Sequence, residues 1–348
     1  MHAQTSATRR RGWQGAVPVL ALIVPLGLAS MLAAEYGSLS LQSSVTLALI
    51  RIVTVVGMYI FIGNSGIVSF GHVSFMAVAA YAAAWQTCCE ALKPIVMPGL
   101  PDFLLGQSLP IWTSAATSVA AATVAALAVG LVLMRLSGLA ASISTLAILF
   151  ILNVVYSNWD SVTMGTASVV GLPTFVTPGV AFGAAAASIV AAYTYQRSRW
   201  GLVLRAARED EVAARAAGVS LYGSRLIAFT LSGAVMGMAG VLQAHFVGTI
   251  SVDSFFLNLT FITLAMLVVG GMRSLAGAVV GVVFVQLVID VFRQFESGIS
   301  LGGAQFTLPS GVQELVLAAA MLLILIYRRD GLMGGREFTW PARSEKKE

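Results

Sequence analysis

Apolar runs long enough to cross a membrane follow one another down this chain, separated by short polar interruptions. They fall at 16–34, 45–62, 67–85, 111–134, 139–156, 179–195, 226–247, 257–269, 276–292 and 312–327. A helix needs about 20 apolar residues to cross the hydrocarbon layer. The pattern therefore predicts an all-α polytopic membrane protein with about ten transmembrane helices. The run at 257–269 is short for a span, and two Gly-rich stretches make some helices discontinuous.

One long polar island interrupts the series at 197–225, with six arginines. Within it, Glu209, Asp210 and Glu211 open an Ala-rich segment that stops at Gly218. Acidic residues suit the positive end of a helix, and a Gly just past the last turn suits a left-handed cap. Glu211 and Arg215 stand four apart with the acid first, the favourable order for a pair on one face. The expectation is a helix of about two turns over 210–217, outside the bilayer. Such a helix is marginal alone. Its small side chains, Ala214 among them, let a second surface approach closely. Two readings follow from spacing: a docking knob with Arg208, Glu209, Asp210, Glu211, Ala214, Arg215 and Gly218 at its core, or an inert solvated loop.

Composition supports the membrane reading. The chain has 348 residues, 58% hydrophobic and 10% charged, with mean hydropathy +0.88; soluble domains carry about 25% charged residues. The charges also orient it. All Lys and Arg except Arg51, Lys93 and Arg293 fall in alternate connections and the two ends. By the positive-inside bias, both termini are cytoplasmic, so the net +5 charge points to topology and not to nucleic acid. The organisation expected is a tail at 1–15, a membrane domain at 16–327 with a cytoplasmic loop at 197–225, and a tail at 328–348. Arg9–Arg11 before the first apolar run imitate a secretory signal; an uncleaved first span is preferred because the run nearly spans.

The glycine-rich stretch 63–75 mixes amide, hydroxyl and imidazole groups at membrane depth. Such groups are costly in lipid unless they face protein or water, and broken helices often build translocation paths. Asn64, Ser65, Gly66, Ser69, Gly71, His72, Ser74 and Phe75 are the candidates for a path or gate; Ser65, Ser69 and His72 would share a helical face. Bonding between packed helices is the other reading. A second break is expected at Gly270, Gly271, Arg273 and Gly277, with Arg273 anchoring at the interface by snorkelling. Arg51 and Asp290 lie inside spans, either as path charges or as halves of a structural pair. The exported connections 86–110 and 157–178 exceed simple turns and are read as a docking face, a lid or irregular loops.

Chemistry is sparse. Cys88 and Cys89 are adjacent, the three histidines are scattered, and no metal-ligand spacing exists. A phosphate-binding loop needs Gly-Lys-Ser/Thr, and the only lysines are Lys93, Lys346 and Lys347. No catalytic constellation is present, so the chain is not expected to be an enzyme or to hold a cofactor or metal. If ATP drives it, another chain consumes the ATP.

Four stretches resemble a known family. They are GNSGIVSFGHVSFMAVAAYAAA at 63–84, GLVLRAAREDEVAARAAGVSLYGSRLIAFTLSGAVMGMAGVL at 201–242, VVGGMRSLAGAVVGVVF at 268–284 and YRRDGLMGGRE at 327–337. Together they resemble the permease subunits of branched-chain amino acid ABC importers, the LivH/LivM family, in its LivM-type. One departure is Thr163-Met164-Gly165-Thr166, where the family often reads Thr-Gly-Gly. The resemblance implies a bacterial inner-membrane importer for branched-chain amino acids or related small polar solutes. Its partners would be a second permease, two cytoplasmic ATPases gripping the 208–218 helix, and a periplasmic binding protein. The alternatives are a stand-alone secondary transporter or channel, against which the scarcity of paired intramembrane carboxylates argues, and a non-transporting scaffold.

Overall fold

A computed structural model describes residues 2–88, 93–296, 299–301, 304–306, 312–328, 330–335 and 337. Cys89 and the tail at 338–348 lie outside the described residues. Helices account for nearly all of the regular structure: α1 (His2–Tyr36), α2 (Leu39–Ser65), α3 (His72–Thr87), α4 (Ile111–Leu133), α5 (Gly138–Ser157), α6 (Pro178–Arg197), α7 (Arg199–Glu209), α8 (Glu211–Ala216), α9 (Leu221–Val247), α10 (Leu257–Gly270), α11 (Leu275–Glu296) and α12 (Val312–Tyr327). Eight described helical stretches are long and apolar enough to cross a membrane. Among the ten expected spans, the other two fall on the 16-residue helices α3 and α12.

Two boundaries differ from expectation. The first helix starts at His2, upstream of the apolar run at 16–34. The span expected from Ile67 starts only at His72, because 66–71 is non-helical. Ser65 therefore ends one helix, Ser69 lies in the non-helical stretch and His72 starts the next. The three do not share one helical face.

The centre of the bundle is α9, which packs on α2, α3 and α4. Glycines make this possible. A methyl on Gly237 would lie 2.7 Å from Ala122 Cβ, and methyls on Gly233 and Gly240 would strike Ala126 and the Met76 carbonyl. Small residues at such crossings let helix backbones meet in lipid, where no hydrophobic drive brings helices together. Ser232 adds an interhelical bond, its hydroxyl donating to the Gly57 carbonyl at 2.7 Å. The span in α2 is 78% buried within the chain, that in α1 only 17%, so α2 is interior and α1 peripheral.

Arg51 and Asp290 prove to be linked through a third residue. Arg51 Nη1 donates to Gln286 Oε1 at 2.5 Å, and Gln286 Nε2 donates to Asp290 Oδ1 at 3.0 Å. That joins α2 to α11.

The long connections opposite the arginine island are folded. Strands β1 (Val169–Val170) and β2 (Thr249–Ile250) pair antiparallel, with Val169 opposite Ile250. Trp85 Nε1 donates to the Val162 carbonyl at 2.9 Å. Lys93 is buried and donates to the carbonyls of Gln107 at 2.8 Å and Leu104 at 3.2 Å. Backbone carbonyls thus partner a charge that burial would otherwise penalise.

Candidate functional site

The arginine island folds as two helices at a corner. Ser198 closes α6 and caps α7, its hydroxyl accepting from Gly201 N at 3.3 Å. Helix α7 is amphipathic, with Gly201, Leu204 and Ala207 turned to the bundle. Asp210 sits between α7 and α8 in extended conformation, and its carboxylate accepts from Val212 N and Ala213 N, both at 2.9 Å. An aspartate cap at this point satisfies amides that have no partner within the helix. The helix expected over 210–217 is observed as Glu211–Ala216. Gly218 follows at φ +78°, a conformation that glycine adopts without steric cost. Glu211 and Arg215 pair at 2.5 Å.

No residue of α8 is buried in this chain. Val212 is 79% exposed, and Ala213, Ala216 and Ala217 are also exposed, with Ala214 partly covered. The corner at its start is nevertheless anchored to two other helices. At its start, Arg208 turns inward, its side chain only 17% exposed. Its Nη1 donates to the Gly63 carbonyl at 2.5 Å, and its Nε and Nη2 contact Glu209 at 3.2 and 3.0 Å. On the far side, the second oxygen of Glu211 takes Arg225 Nη2 of α9 at 2.9 Å. The sequence flags the Glu211–Arg215 pair, because four-residue spacing is readable. It gives no signal for Arg208–Gly63 or Glu211–Arg225, which join residues 145 and 14 apart.

Arg208 reaches the first break. Helix α2 ends at Ser65, with Gly66 at φ +74°. The aliphatic part of Arg208 lies over Gly66, where an added methyl would be 2.6 Å from its Cγ. The unwound stretch is tied down locally. Ile67 N donates to Ser65 Oγ at 3.1 Å, Phe70 N to Thr145 Oγ1 at 3.3 Å, and Gly71 abuts the Thr145 backbone. Asn64 Nδ2 donates to the Ile60 carbonyl at 2.9 Å. His72 Nδ1 and Ser69 Oγ are 2.7 Å apart. The imidazole is fully buried among Phe61, Phe75 and Phe229, with ring centroids at 5.5, 6.2 and 5.1 Å. Asn64, Ser69, Ser74 and Phe75 are buried too, while Gly66 is exposed. The Phe70 amide thus ties the break to α5 and the His72 ring packs on Phe229 of α9, while the side-chain bonds of Asn64, Ser65 and Ser69 stay local.

The second break adjoins the first. Helix α10 ends at Gly270, Gly271 leaves the helix, and α11 resumes at Leu275. A methyl on Gly63 would lie 2.8 Å from the Met272 carbonyl oxygen. Gly270 and Gly277 face each other so closely that neither could carry a side chain without displacing backbone. Ser274 Oγ accepts from Gly277 N at 2.9 Å. Arg273 is exposed.

Into this break Leu332, Met333 and Glu337 are packed. Leu332 N donates to the Val269 carbonyl at 2.9 Å and Met333 N to that of Gly270 at 3.1 Å. The Glu337 carboxylate accepts from Leu275 N at 2.8 Å and Ala276 N at 3.3 Å, capping α11. Burial raises the Glu337 carboxyl above its ordinary value, against the opposing effects of these two amides and of Arg205. Four sequence-distant pieces thus converge at one end of the bundle: two helix breaks, an exposed corner helix and the terminal segment.

Spanning helices with interrupted backbone, joined to a projecting polar helix, define a multi-pass membrane protein with one specialised polar end. Comparison with known proteins sharpens this. The family described as the branched-chain amino acid transport system / permease component matches residues 40–325, and the chain belongs to that family. The high-affinity branched-chain amino acid transport system permease protein LivM of Escherichia coli (strain K12) is 25% identical over 322 residues, covering 83% of this chain and 68% of the relative. A probable LivM permease of Methanocaldococcus jannaschii is 27% identical over 154 residues, covering 42% of this chain and 43% of the relative. A probable LivH permease of the same organism is 28% identical over 137 residues, covering 39% and 42%. These relatives are transport permeases, and the match to both LivM and LivH types fits a multi-subunit transport system.

Proposed function

We propose that this chain is a permease subunit of an ATP-driven inner-membrane importer for branched-chain amino acids or related small polar solutes. The arginine-rich end faces the cytoplasm, as the charge asymmetry favours. A second permease chain completes the path, a periplasmic binding protein delivers the solute, and two ATPase subunits supply the energy. Helix α8 is the element an ATPase grips.

The observation that carries this reading is the setting of α8. None of its residues is buried, yet the corner is anchored to α2 by Arg208 and to α9 by Arg225. A push on α8 would therefore be delivered to the end of α2, beside both breaks. Packed interfaces of this kind shift between discrete arrangements and do not deform continuously. ATPase closure would move the corner, and the two breaks would absorb the rotation between helices. The buried Ser69–His72 pair would hold the gate segment from within.

Purification of the tagged chain in mild detergent tests the assembly: an ATPase and a second permease should accompany it. A chain that purifies alone and transports alone is a gradient-driven carrier or channel. The docking role is tested separately by Ala214→Glu and Gly218→Ile. Both should leave the protein inserted and cut ATP-coupled uptake at least about tenfold, equivalent to about 1.4 kcal/mol added to the barrier. Unchanged uptake at normal expression would remove α8 from the mechanism.

A further inference from the structure

A cavity of about 530 Å³ opens beside the corner helix, where α4 ends and α9 begins. Met134, Arg135, Arg215, Ser220, Tyr222 and Arg225 contribute to its wall. Three arginines thus line it, and among the described residues Glu211 is the one carboxylate paired with any of them, shared between Arg215 and Arg225. Arg225 is buried, its side chain 7% exposed, and its Nε has no hydrogen-bond partner among the described residues. A buried, unsatisfied donor on a cation is costly. The Arg135 guanidinium lies 6.0 Å from the centre of the Tyr222 ring, and the Tyr222 hydroxyl donates to the Leu131 carbonyl at 3.0 Å.

We infer that this cavity binds the phosphate group of an anionic phospholipid of the inner leaflet. Charge favours a phosphate: three cations against one carboxylate leave an excess that an anion with several acceptor oxygens would balance. Position favours a lipid as its source. The cavity sits at the junction of two membrane-length helices, α4 and α9. Just along α4 from it, Leu131 and Val132 are 46% and 67% exposed, which provides an apolar track for the acyl chains. Tyrosine with its ring in apolar surroundings and its hydroxyl bonded is the side chain expected at a headgroup level, and basic pockets between helices on the cytoplasmic side bind anionic headgroups. Because Arg215 and Glu211 belong to α8, an occupied cavity would also brace the corner helix. The inner-leaflet placement rests on the orientation proposed above.

Native mass spectrometry of the assembled importer, in nanodiscs of phosphatidylcholine with added phosphatidylglycerol, tests this. Wild type should retain phosphatidylglycerol. Arg135→Gln, at an exposed position, should retain it about fivefold more weakly, as expected for one arginine beside an anionic surface. Arg225→Gln should do likewise wherever it folds. Arg199→Gln, an equally cytoplasmic arginine away from the cavity, should leave retention unchanged. Equal retention by Arg135→Gln and wild type, or none by wild type, overturns the proposal. Saturation by inorganic phosphate in pure phosphatidylcholine discs, with no preference for phosphatidylglycerol, overturns the lipid source. Should the chain purify without partners, the importer reading fails, while lipid retention is still read on the chain itself.

Discussion

Arg208 illustrates how much one side chain does at this end of the molecule. The Gly63 carbonyl belongs to the last turn of α2, whose carbonyls lack partners within the helix. Arg208 supplies the donor and brings positive charge to the negative end of the helix. Its stem meanwhile fills the space that Gly66 leaves open. Arg208→Ala should therefore cost about 1.5–3 kcal/mol, the range for a hydrogen bond to a charged group, read as a lower unfolding temperature in detergent. It should also lower the ratio of solute moved to ATP consumed, while ATPase binding persists through the untouched α8 surface. Lysine would keep the charge and lose the fork, so partial recovery of that ratio is expected. The sequence placed Arg208 in the docking knob, but its bond to the end of α2 was invisible there. Its neighbours Glu209 and Asp210 advertise a helix start, but nothing local says that Arg208 turns toward a carbonyl 145 residues away. Asp210 and Gly218, by contrast, were legible because caps act over three or four residues.

Among the elements, the α10–α11 hairpin is the tightest crossing. A methyl on Gly281 would strike the Met266 carbonyl and one on Gly270 the Gly277 carbonyl. The two helices meet backbone to backbone. Gly281→Ala should force them apart at about 1–3 kcal/mol, the usual cost of overpacking, measured by thermal unfolding of the chain in nanodiscs. The break at 270–274 was readable because Gly-Gly followed by a charge interrupts an apolar run. The break at 66–71 was only half readable. Its glycines and polar groups stand out, yet Ile67, Val68 and Phe70 continue the hydrophobic pattern, so periodicity placed the helix start five residues early. Tertiary partners decided the matter: Thr145 from α5 takes the free amide of Phe70, and the Phe61, Phe75 and Phe229 rings enclose His72.

Over the whole molecule, the connections that carry the arginines also meet in space, as alternating charge along the chain suggested. Arg225 Nη1 lies 3.5 Å from the Leu136 carbonyl, Arg208 reaches Gly63, and Gly63 abuts Met272. The part played by the terminal segment was not legible. Composition marks 328–348 only as a basic tail, whereas Glu337 works as an acid. Its carboxyl is raised by burial, so the folded state favours the protonated form more than the unfolded chain does. The stabilisation linked to that proton is complete below the ordinary carboxylate range and is lost as pH rises through the raised value. Exchange protection of the Leu332 and Met333 amides, corrected for intrinsic rates, should accordingly weaken across that rise. In Glu337→Gln it should stay flat, and a slope matching wild type would assign the pH effect to another group.

The bond between Glu337 and the amide of Leu275 spans 62 residues, and this sets an order of events during synthesis. Ribosomes add about 5–20 residues per second, so the first turn of α11 waits several seconds for its cap after it has been made. Until then the amides of Leu275 and Ala276 lack the carboxylate that caps them. A chain cut short before residue 337 would leave those amides uncapped, so the last stretch to be made completes the start of a helix made much earlier.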